Sequence, residues 1–202
     1  TTTLMAAMMT ASPEIVSMLL EYGTNVESVD VMGNDAFMFA SIFGRPKNLQ
    51  CWLERVKDWD LNRQNTIIGG SALSNALYMG SNKLETVKFL LNADTQLNFQ
   101  QFNGGTVLTS ITANEDSDPD VLRLVLERVK TTCKSKKTFI NVLNTRQHAS
   151  TLKWKCIYFI AKALYRTGVS KSGLMAFLAL ESGTTPLNLA VVRGDVEIVK
   201  LL

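Results

Sequence analysis

Cysteine and histidine are scarce in this chain. Its 202 residues include three cysteines, Cys51, Cys133 and Cys156, and a single histidine, His148. The cysteines are widely spaced and form no Cys-x-x-Cys pair, so the sequence supports neither a disulfide framework nor a metal cluster. We therefore expect no metal or other cofactor, and we expect an intracellular, cytoplasmic chain whose thiols stay reduced.

Long apolar runs are also absent. The longest, Cys156 to Ala161 and Leu174 to Leu180, are far shorter than the roughly 20 residues that a helix needs to cross a bilayer. The sequence thus predicts no transmembrane helix, and no secretory signal is visible at its start. With 46% hydrophobic and 19% charged residues, the composition is that of a folded globular chain and excludes a disordered tail.

Sequence motifs typical of catalytic, phosphate-binding or calcium-binding sites are missing too. Gly69-Gly70-Ser71 and Gly104-Gly105-Thr106 precede predicted helices, but neither contains the Lys-Ser/Thr of a phosphate-binding loop. His148 lies in a polar segment without a patterned nucleophile or carboxylate beside it. The acidic residues around Asp118 lack the glycine and terminal glutamate of a calcium loop. We therefore expect that the chain is not an enzyme and has no catalytic residue.

The sequence does contain an internal repeat. Five short motifs begin with a residue suited to a helix N-cap, and their starts are separated by 33, 36, 35 and 79 residues. The last interval is long enough for one more unit and an insertion. The motifs are Thr2-Thr3-Leu4, Asp35-Ala36-Phe37, Ser71-Ala72-Leu73, Thr106-Val107-Leu108 and Thr185-Pro186-Leu187.

A second, longer motif follows each of these starts. Its apolar residues recur at positions i, i+1, i+4 and i+5, as in Ile15, Val16, Leu19 and Leu20, which places them on one stripe of a helix. A shorter helix precedes it, with alanine at its centre and a glycine at its end, as in Phe37 to Gly44. Each repeat is therefore predicted to form two helices that pack closely against each other.

After each second helix, a polar, extended segment and a glycine turn lead into the next N-cap. In the fourth unit we assign the extended segment to Ile140 through Asn144. This order of elements, every 33 residues or so, resembles the ankyrin repeat. The resemblance is nearly complete in the last unit, at Thr185 to Ala190 and Gly194 to Leu202. It is weaker in the middle units, where the usual Thr-Pro and the customary histidine are replaced.

The resemblance implies an all-α fold, an ankyrin-repeat solenoid of about five to six helix-turn-helix units joined by short hairpins. We expect about four repeats in residues 1–129, a basic insertion with a divergent repeat in 130–181, and the truncated start of a further repeat in 182–202. Because a solenoid needs polar caps, we also expect repeats or domains beyond both ends. A tetratricopeptide-type solenoid is the rival interpretation, but its repeats lack the glycine turn and extended segment.

The segment from Arg128 to Leu180 departs from the repeat pattern and is basic. It contains eleven lysines and arginines and no acidic residue, whereas the rest of the chain has 10 basic and 18 acidic residues, a net charge of −8. At 100° per residue, Lys155, Lys162 and Arg166 fall on one face of a predicted helix. Together with Lys134, Lys136 and Lys137 they define the anionic-partner patch. The packing face of the same helix is predicted to carry Trp154, Ile157, Tyr158, Ala161, Leu164 and Tyr165.

Two interpretations of the anionic-partner patch stay open. A solvated face that balances the acidic remainder of the chain would need no partner. A functional patch would attract an acidic or phosphorylated protein segment or an anionic membrane surface. Nucleic acid is disfavoured, because no base-stacking or groove-reading motif accompanies the lysines.

Ankyrin arrays bind other proteins through hairpin tips and exposed faces of their first helices, so the resemblance implies a protein-interaction scaffold or adaptor. The competing hypotheses are a regulatory or substrate-docking segment of a larger enzyme, channel or assembly, and recruitment to an anionic membrane surface or polyanion through the patch. The partner's identity and the oligomeric state stay open. The candidate contact residues are Met32, Asn34, Met38, Ser74 and Asn103.

Overall fold

The computed structural model describes residues 1–80, 83–93, 95–97, 100–114, 118–170, 172, 175, 178, 179 and 182–202, and these residues form helices and no strand. The first six helices are α1 (Thr3–Thr10), α2 (Pro13–Glu21), α3 (Ala36–Ile42), α4 (Pro46–Arg55), α5 (Ala72–Met79) and α6 (Lys83–Asn92). The next six are α7 (Val107–Ala113), α8 (Pro119–Thr132), α9 (Lys136–Leu143), α10 (Leu152–Arg166), α11 (Pro186–Arg193) and α12 (Val196–Leu201). Lys171 and most of the apolar run 174–180 lie outside the described residues.

The first helix of each repeat begins where the sequence predicts. In all five cases the side chain of the N-cap residue accepts a hydrogen bond from the backbone N–H three residues later, which satisfies one amide that the helix leaves open. The repeat spacing therefore marks helix starts. The five distances are 3.2 Å at Thr2, 2.8 Å at Asp35, 3.4 Å at Ser71, 3.2 Å at Thr106 and 3.2 Å at Thr185.

The second helices, α2, α4, α6, α8 and α12, coincide with the five longer motifs. Helices α2, α4 and α8 begin with proline, whose fixed φ suits the first helical turn. Asp118 caps α8 by accepting a 2.8 Å hydrogen bond from the Asp120 amide. Gly44 and Gly194 follow α3 and α11 with φ values of 61° and 71°, so the glycines at the ends of these two helices form left-handed turns.

Residues Thr1–Gln96 form one compact unit. Its first helices pack side by side, α1 on α3 and α3 on α5, and each contacts its own second helix. Leu4, Phe37 and Leu73 stand two residues after successive N-caps, and all three are buried between the layers. The buried Trp52 of α4 packs its ring 6.1 Å from that of Phe37. Equivalent positions of the repeats thus build one continuous core.

Residues Leu97–Leu202 form the second compact unit. Within it α11 packs on α7, and α12 packs on α8. The last helix pair therefore stacks directly on the fourth pair. Helices α9 and α10 lie in residues 130–181, where the basic insertion and the divergent repeat are expected.

The extended segment expected at Ile140 through Asn144 is wrong, because helix α9 covers Lys136–Leu143. The Ser135 hydroxyl accepts a 3.2 Å hydrogen bond from the Thr138 amide and so caps this helix. No glycine or proline interrupts the eight residues that follow the cap. Asn141 and Asn144 suggest an extended segment by analogy with other repeats, but the cap and the unbroken run favour a helix.

Candidate protein-binding surfaces

The first hairpin of the amino-terminal unit holds a tight turn, residues 30–34, named here the hairpin tip. The Asp30 carboxylate accepts hydrogen bonds from the Met32 amide at 2.9 Å and the Asn34 amide at 2.8 Å. The Asp30 amide donates to the Asn34 carbonyl at 2.9 Å. Between these anchors Val31 is 96% exposed and Met32 is 42% exposed. The turn therefore presents two apolar side chains to solvent on a fixed backbone.

The backbone of the hairpin tip also joins the next hairpin. The Thr66 amide and hydroxyl donate to the Met32 carbonyl oxygen at 2.9 and 3.0 Å. Gly33 has a φ of 80°, and a Cβ there would lie 2.5 Å from the Thr66 nitrogen. The close approach of the two hairpins thus requires glycine at this position.

Four of the five candidate contact side chains are buried, and Met32 alone among them is exposed. The Asn34 side-chain oxygen accepts hydrogen bonds from Asn65 at 3.0 Å and Asn75 at 3.4 Å. Such bonds stabilise buried amides and tie one hairpin to the next repeat. The side chains of Met38, Ser74 and Asn103 are also buried.

Asp35, the N-cap of α3, lies directly after the hairpin tip and is the buried carboxylate of this region. Burial raises the pKa of the Asp35 carboxyl above its ordinary value of 3.8, while the hydrogen bond from the Met38 amide and the nearby Arg63 guanidinium lower it. Arg63 Nε lies 3.7 Å from Asp35 Oδ2, and its Nη1 lies 2.6 Å from Glu27 Oε2. The same guanidinium stacks 4.5 Å from the Trp59 ring, which fixes its position.

The carboxyl ends of the first helices expose a row of side chains that the sequence reading did not single out. Thr10, Phe43 and Met79 each stand eight residues after an N-cap, and each is exposed. Since α1, α3 and α5 pack side by side, these equivalent positions line up across the amino-terminal unit. Their spacing from the caps was the available signal. We name these three residues the first-helix row.

The anionic-partner patch divides into exposed and anchored residues. Lys134, Lys136, Lys137, Lys155 and Arg166 are exposed. Lys162 is half-buried instead, and its Nζ donates to the Ser182 carbonyl at 3.2 Å and lies 3.1 Å from the Ser182 hydroxyl. Lys162 is therefore engaged in hydrogen bonds within the chain.

Helix α10 packs through much of its predicted packing face. Tyr158 and Ala161 are buried, and Trp154, Ile157 and Leu164 are half-buried. Tyr165, the sixth residue of that prediction, is exposed.

The buried Tyr158 hydroxyl anchors the helix. Tyr158 Oη donates to the Asn103 carbonyl at 3.0 Å and accepts from Gln147 Nε2 at 3.1 Å. These bonds fix the rotation of α10 about its axis, so its opposite face points away from the chain.

Beside its basic residues, that opposite face carries an apolar line that the helical projection overlooked. Leu152 is 76% exposed and Phe159 is 75% exposed. Cys156 and Ala163 are also exposed and continue the same line along the helix. We name Leu152, Cys156, Phe159 and Ala163 the outer stripe of α10. A search for residues spaced four, three and four apart would have found it.

The glycine pairs that could have offered amides to a phosphate use them internally. Asn65 Oδ1 accepts hydrogen bonds from the amides of Gly69 at 3.1 Å and Gly70 at 3.2 Å. The Gly105 amide donates to Asn103 Oδ1 at 3.0 Å. These amides stabilise the turns that precede the helices.

No metal cluster occurs in the part of the chain that the structure describes. The described helices include none that is long and apolar enough to traverse a lipid bilayer. The three cysteines are free thiols: Cys51 is buried, Cys133 is half-buried and Cys156 is exposed. Burial raises the pKa of the Cys51 thiol, which makes it a poor nucleophile.

Comparison with known proteins agrees with this geometry. Residues 182–202 match the family model described as ankyrin repeat. A stretch of 101 residues, 50% of this chain, is 31% identical to the ankyrin repeat and SAM domain-containing protein 6 of Rattus norvegicus. That stretch spans only 11% of the length of the rat protein.

A solved structure has a similar fold over nearly the whole chain. The fold is similar to the crystal structure of EF0377, an ankyrin repeat protein, with a TM-score of 0.65 and 20% sequence identity. The match covers 98% of this chain and 77% of that one. The all-α, ankyrin-repeat solenoid fold implied by the sequence is thereby confirmed.

Proposed function

We propose that this chain, whose fold is that of an ankyrin-repeat solenoid, is a protein-interaction scaffold or adaptor whose amino-terminal unit binds a partner protein. Ankyrin repeats are in general protein-interaction modules and not catalytic folds. The observation that carries the proposal is the hairpin tip, where hydrogen bonds from the Met32 and Asn34 amides to the Asp30 carboxylate fix the turn, and the side chains of Val31 and Met32 are exposed. Because the backbone that carries these apolar side chains is already fixed, binding costs less conformational entropy.

The first-helix row supplies a second set of contacts for the same partner. Phe43 offers an aromatic side chain, and Met79 and Met32 offer flexible thioethers that adapt to irregular surfaces. Exposed apolar groups on a well-packed scaffold are typical of binding surfaces. We therefore centre the proposed interface on Val31, Met32, Phe43 and Met79.

Site-specific photocrosslinking in the intact parent protein tests this proposal. A photoreactive residue is placed at position 31 or 43, and a matched control is placed at the exposed Gln50 on α4. We expect crosslinks to a separate protein from positions 31 and 43 and none from position 50. Equal crosslinking from all three positions, or none from 31 and 43, would contradict the assignment.

The same experiment separates the scaffold from its main alternative. If these repeats are a regulatory or substrate-docking segment of a larger enzyme, channel or assembly, positions 31 and 43 will crosslink to other parts of the same polypeptide. The small share of the rat relative that this chain matches, 11% of its length, makes a role within a larger protein a specific alternative. A location inside the cell, expected from the dispersed cysteines, stays a prediction.

A second candidate function belongs to the basic segment. Its charge favours an anionic partner, because residues 128–180 contain eleven basic and no acidic residues. Five of the six residues in the anionic-partner patch are exposed. We propose that this patch recruits an anionic surface, either an acidic or phosphorylated protein or an anionic membrane, in addition to the partner of the amino-terminal unit.

A further inference from the structure

The outer stripe of α10 has the spacing of a helix-pairing seam. Leu152, Cys156, Phe159 and Ala163 are separated by four, three and four residues, which keeps them on one line of a helix. At a rise of 1.5 Å per residue, the line is roughly 16 Å long. All four side chains are exposed, and no described helix covers them.

Large and small side chains alternate along this seam. Leu152 and Phe159 project as knobs, while Cys156 and Ala163 leave room between them for side chains of a facing helix. A membrane would gain most from large apolar groups at every position of such a face. The alternation therefore favours a second helix over a lipid surface.

Positive charge borders the seam on both sides. In heptad notation Leu152 and Phe159 take position d, which places Lys153 at e and Lys155 at g, the two flanking positions. Both lysines are exposed and form no ion pair within the residues that the structure describes. Because residues 128–180 contain no acidic residue, acidic side chains of a partner would complement the charge of these flanks.

We propose that the outer stripe of α10 binds an amphipathic helix of a partner protein, with apolar residues along its seam and Glu or Asp at its flanking positions. The inference rests on the second candidate function, in which the basic segment recruits an anionic surface, and it names a partner for that segment. Tyr158 holds the opposite face of α10 against the chain, so the stripe is presented without a rearrangement. Such pre-organisation reduces the entropic cost of binding.

Binding of synthetic helices to the 202-residue chain tests the proposal. The probe is a labelled three-heptad peptide with Leu at positions a and d and Glu at e and g, titrated by fluorescence anisotropy. One control peptide has the same composition in scrambled order, and another has Lys at e and g. We expect the acidic amphipathic peptide to bind at least about tenfold more tightly than either control, since both the seam and the charge are specific.

Matched variants place the site on α10. Phe159→Glu should weaken binding of the acidic peptide at least about tenfold, because it puts a charge in the seam. Ile140→Glu is the control, since Ile140 is an exposed apolar residue of α9 outside the stripe. Lys153→Glu combined with Lys155→Glu should reverse the preference, so that the peptide with Lys flanks binds more tightly. Circular dichroism checks that each variant folds. If a variant does not fold, the comparison of the three peptides on the unsubstituted chain still tests the proposal.

Three results would overturn the proposal. The first two are equal binding of the scrambled peptide, which indicates unspecific polyanion attraction, and an unchanged Kd for Phe159→Glu. The third is that no peptide binds, while the chain binds phosphatidylserine-containing vesicles and Phe159→Glu abolishes that binding. The last result would make the occupant a membrane. Val31→Asp should leave peptide binding unchanged, so a failure here is distinguishable from a failure of the hairpin-tip interface.

Discussion

Arg193 Nη1 donates a 2.7 Å hydrogen bond to the backbone carbonyl of Thr112, which precedes it by 81 residues. The bond joins α11 to the end of α7, in agreement with the packing of these two helices. After the long basic segment, the chain therefore packs again on the fourth helix pair. The charged side chain of Arg193 forms a hydrogen bond across this contact. A carbonyl at a helix end needs such a partner when it is shielded from water.

Replacing Arg193 with alanine is expected to lower the free energy of unfolding by about 1 kcal/mol, because a half-buried, charge-assisted hydrogen bond is lost. Lys200→Ala is the matched control, since Lys200 is exposed and forms an ion pair with the exposed Glu197 in its own helix. Urea unfolding monitored by circular dichroism measures both. Equal effects of the two substitutions would show that the Arg193 bond does not hold the last repeat.

Gly33→Ala and Gly23→Ala separate backbone strain from steric conflict. Both glycines have positive φ, 80° and 73°, so alanine costs about 1–2 kcal/mol at either one. A Cβ at Gly33 would meet Thr66, whereas a Cβ at Gly23 would meet nothing within 4 Å. We expect Gly33→Ala to cost about 1–3 kcal/mol more than Gly23→Ala in urea unfolding. Similar costs would mean that the two hairpins separate easily.

The sequence predicted the helix starts well because their signal is local. An N-cap residue acts on an amide three residues away, so Thr2, Asp35 and Thr185 could be recognised without tertiary information. The extended segment at Ile140 through Asn144 was wrong for the converse reason, since analogy with other repeats outweighed the local cap at Ser135.

The candidate surfaces were harder to predict because exposure depends on packing. A hairpin position suggested that both Met32 and Asn34 meet a partner, but Asn34 turns inward to bond Asn65 and Asn75. The projection of α10 identified most of its packing face and assumed that the remainder is basic. The outer stripe escaped notice because Lys155 and Arg166 lie beside it, and they led to the interpretation that this face is basic.

Asp35→Asn should alter how stability depends on pH. Burial raises the pKa of Asp35 in the folded chain, so the folded state holds this proton more tightly than the unfolded state does. The contribution of Asp35 to stability is therefore present below its ordinary pKa of 3.8 and is lost as the pH rises through the folded pKa. Asparagine retains the cap and does not titrate.

The unfolding free energy of the unsubstituted chain minus that of Asp35→Asn isolates this contribution. We expect the difference to fall as the pH rises above about 3.8 and then to level off. Urea unfolding at a series of pH values from acid to neutral measures it. A difference that rises with pH would show that Arg63 and the Met38 amide outweigh burial, and the direction of the pKa shift would be reversed.

Tyr158→Phe is expected to release α10 while leaving its packing surface intact. The substitution removes one hydroxyl and leaves the Asn103 carbonyl and the Gln147 amide without that partner in a buried site. Unsatisfied buried groups of this kind cost about 1–3 kcal/mol. Amide hydrogen exchange should accelerate throughout α10, whereas Tyr165→Phe, at an exposed position of the same helix, should change it little. If both variants exchange alike, Tyr158 does not anchor the helix, and the outer stripe loses the fixed orientation on which its proposed binding depends.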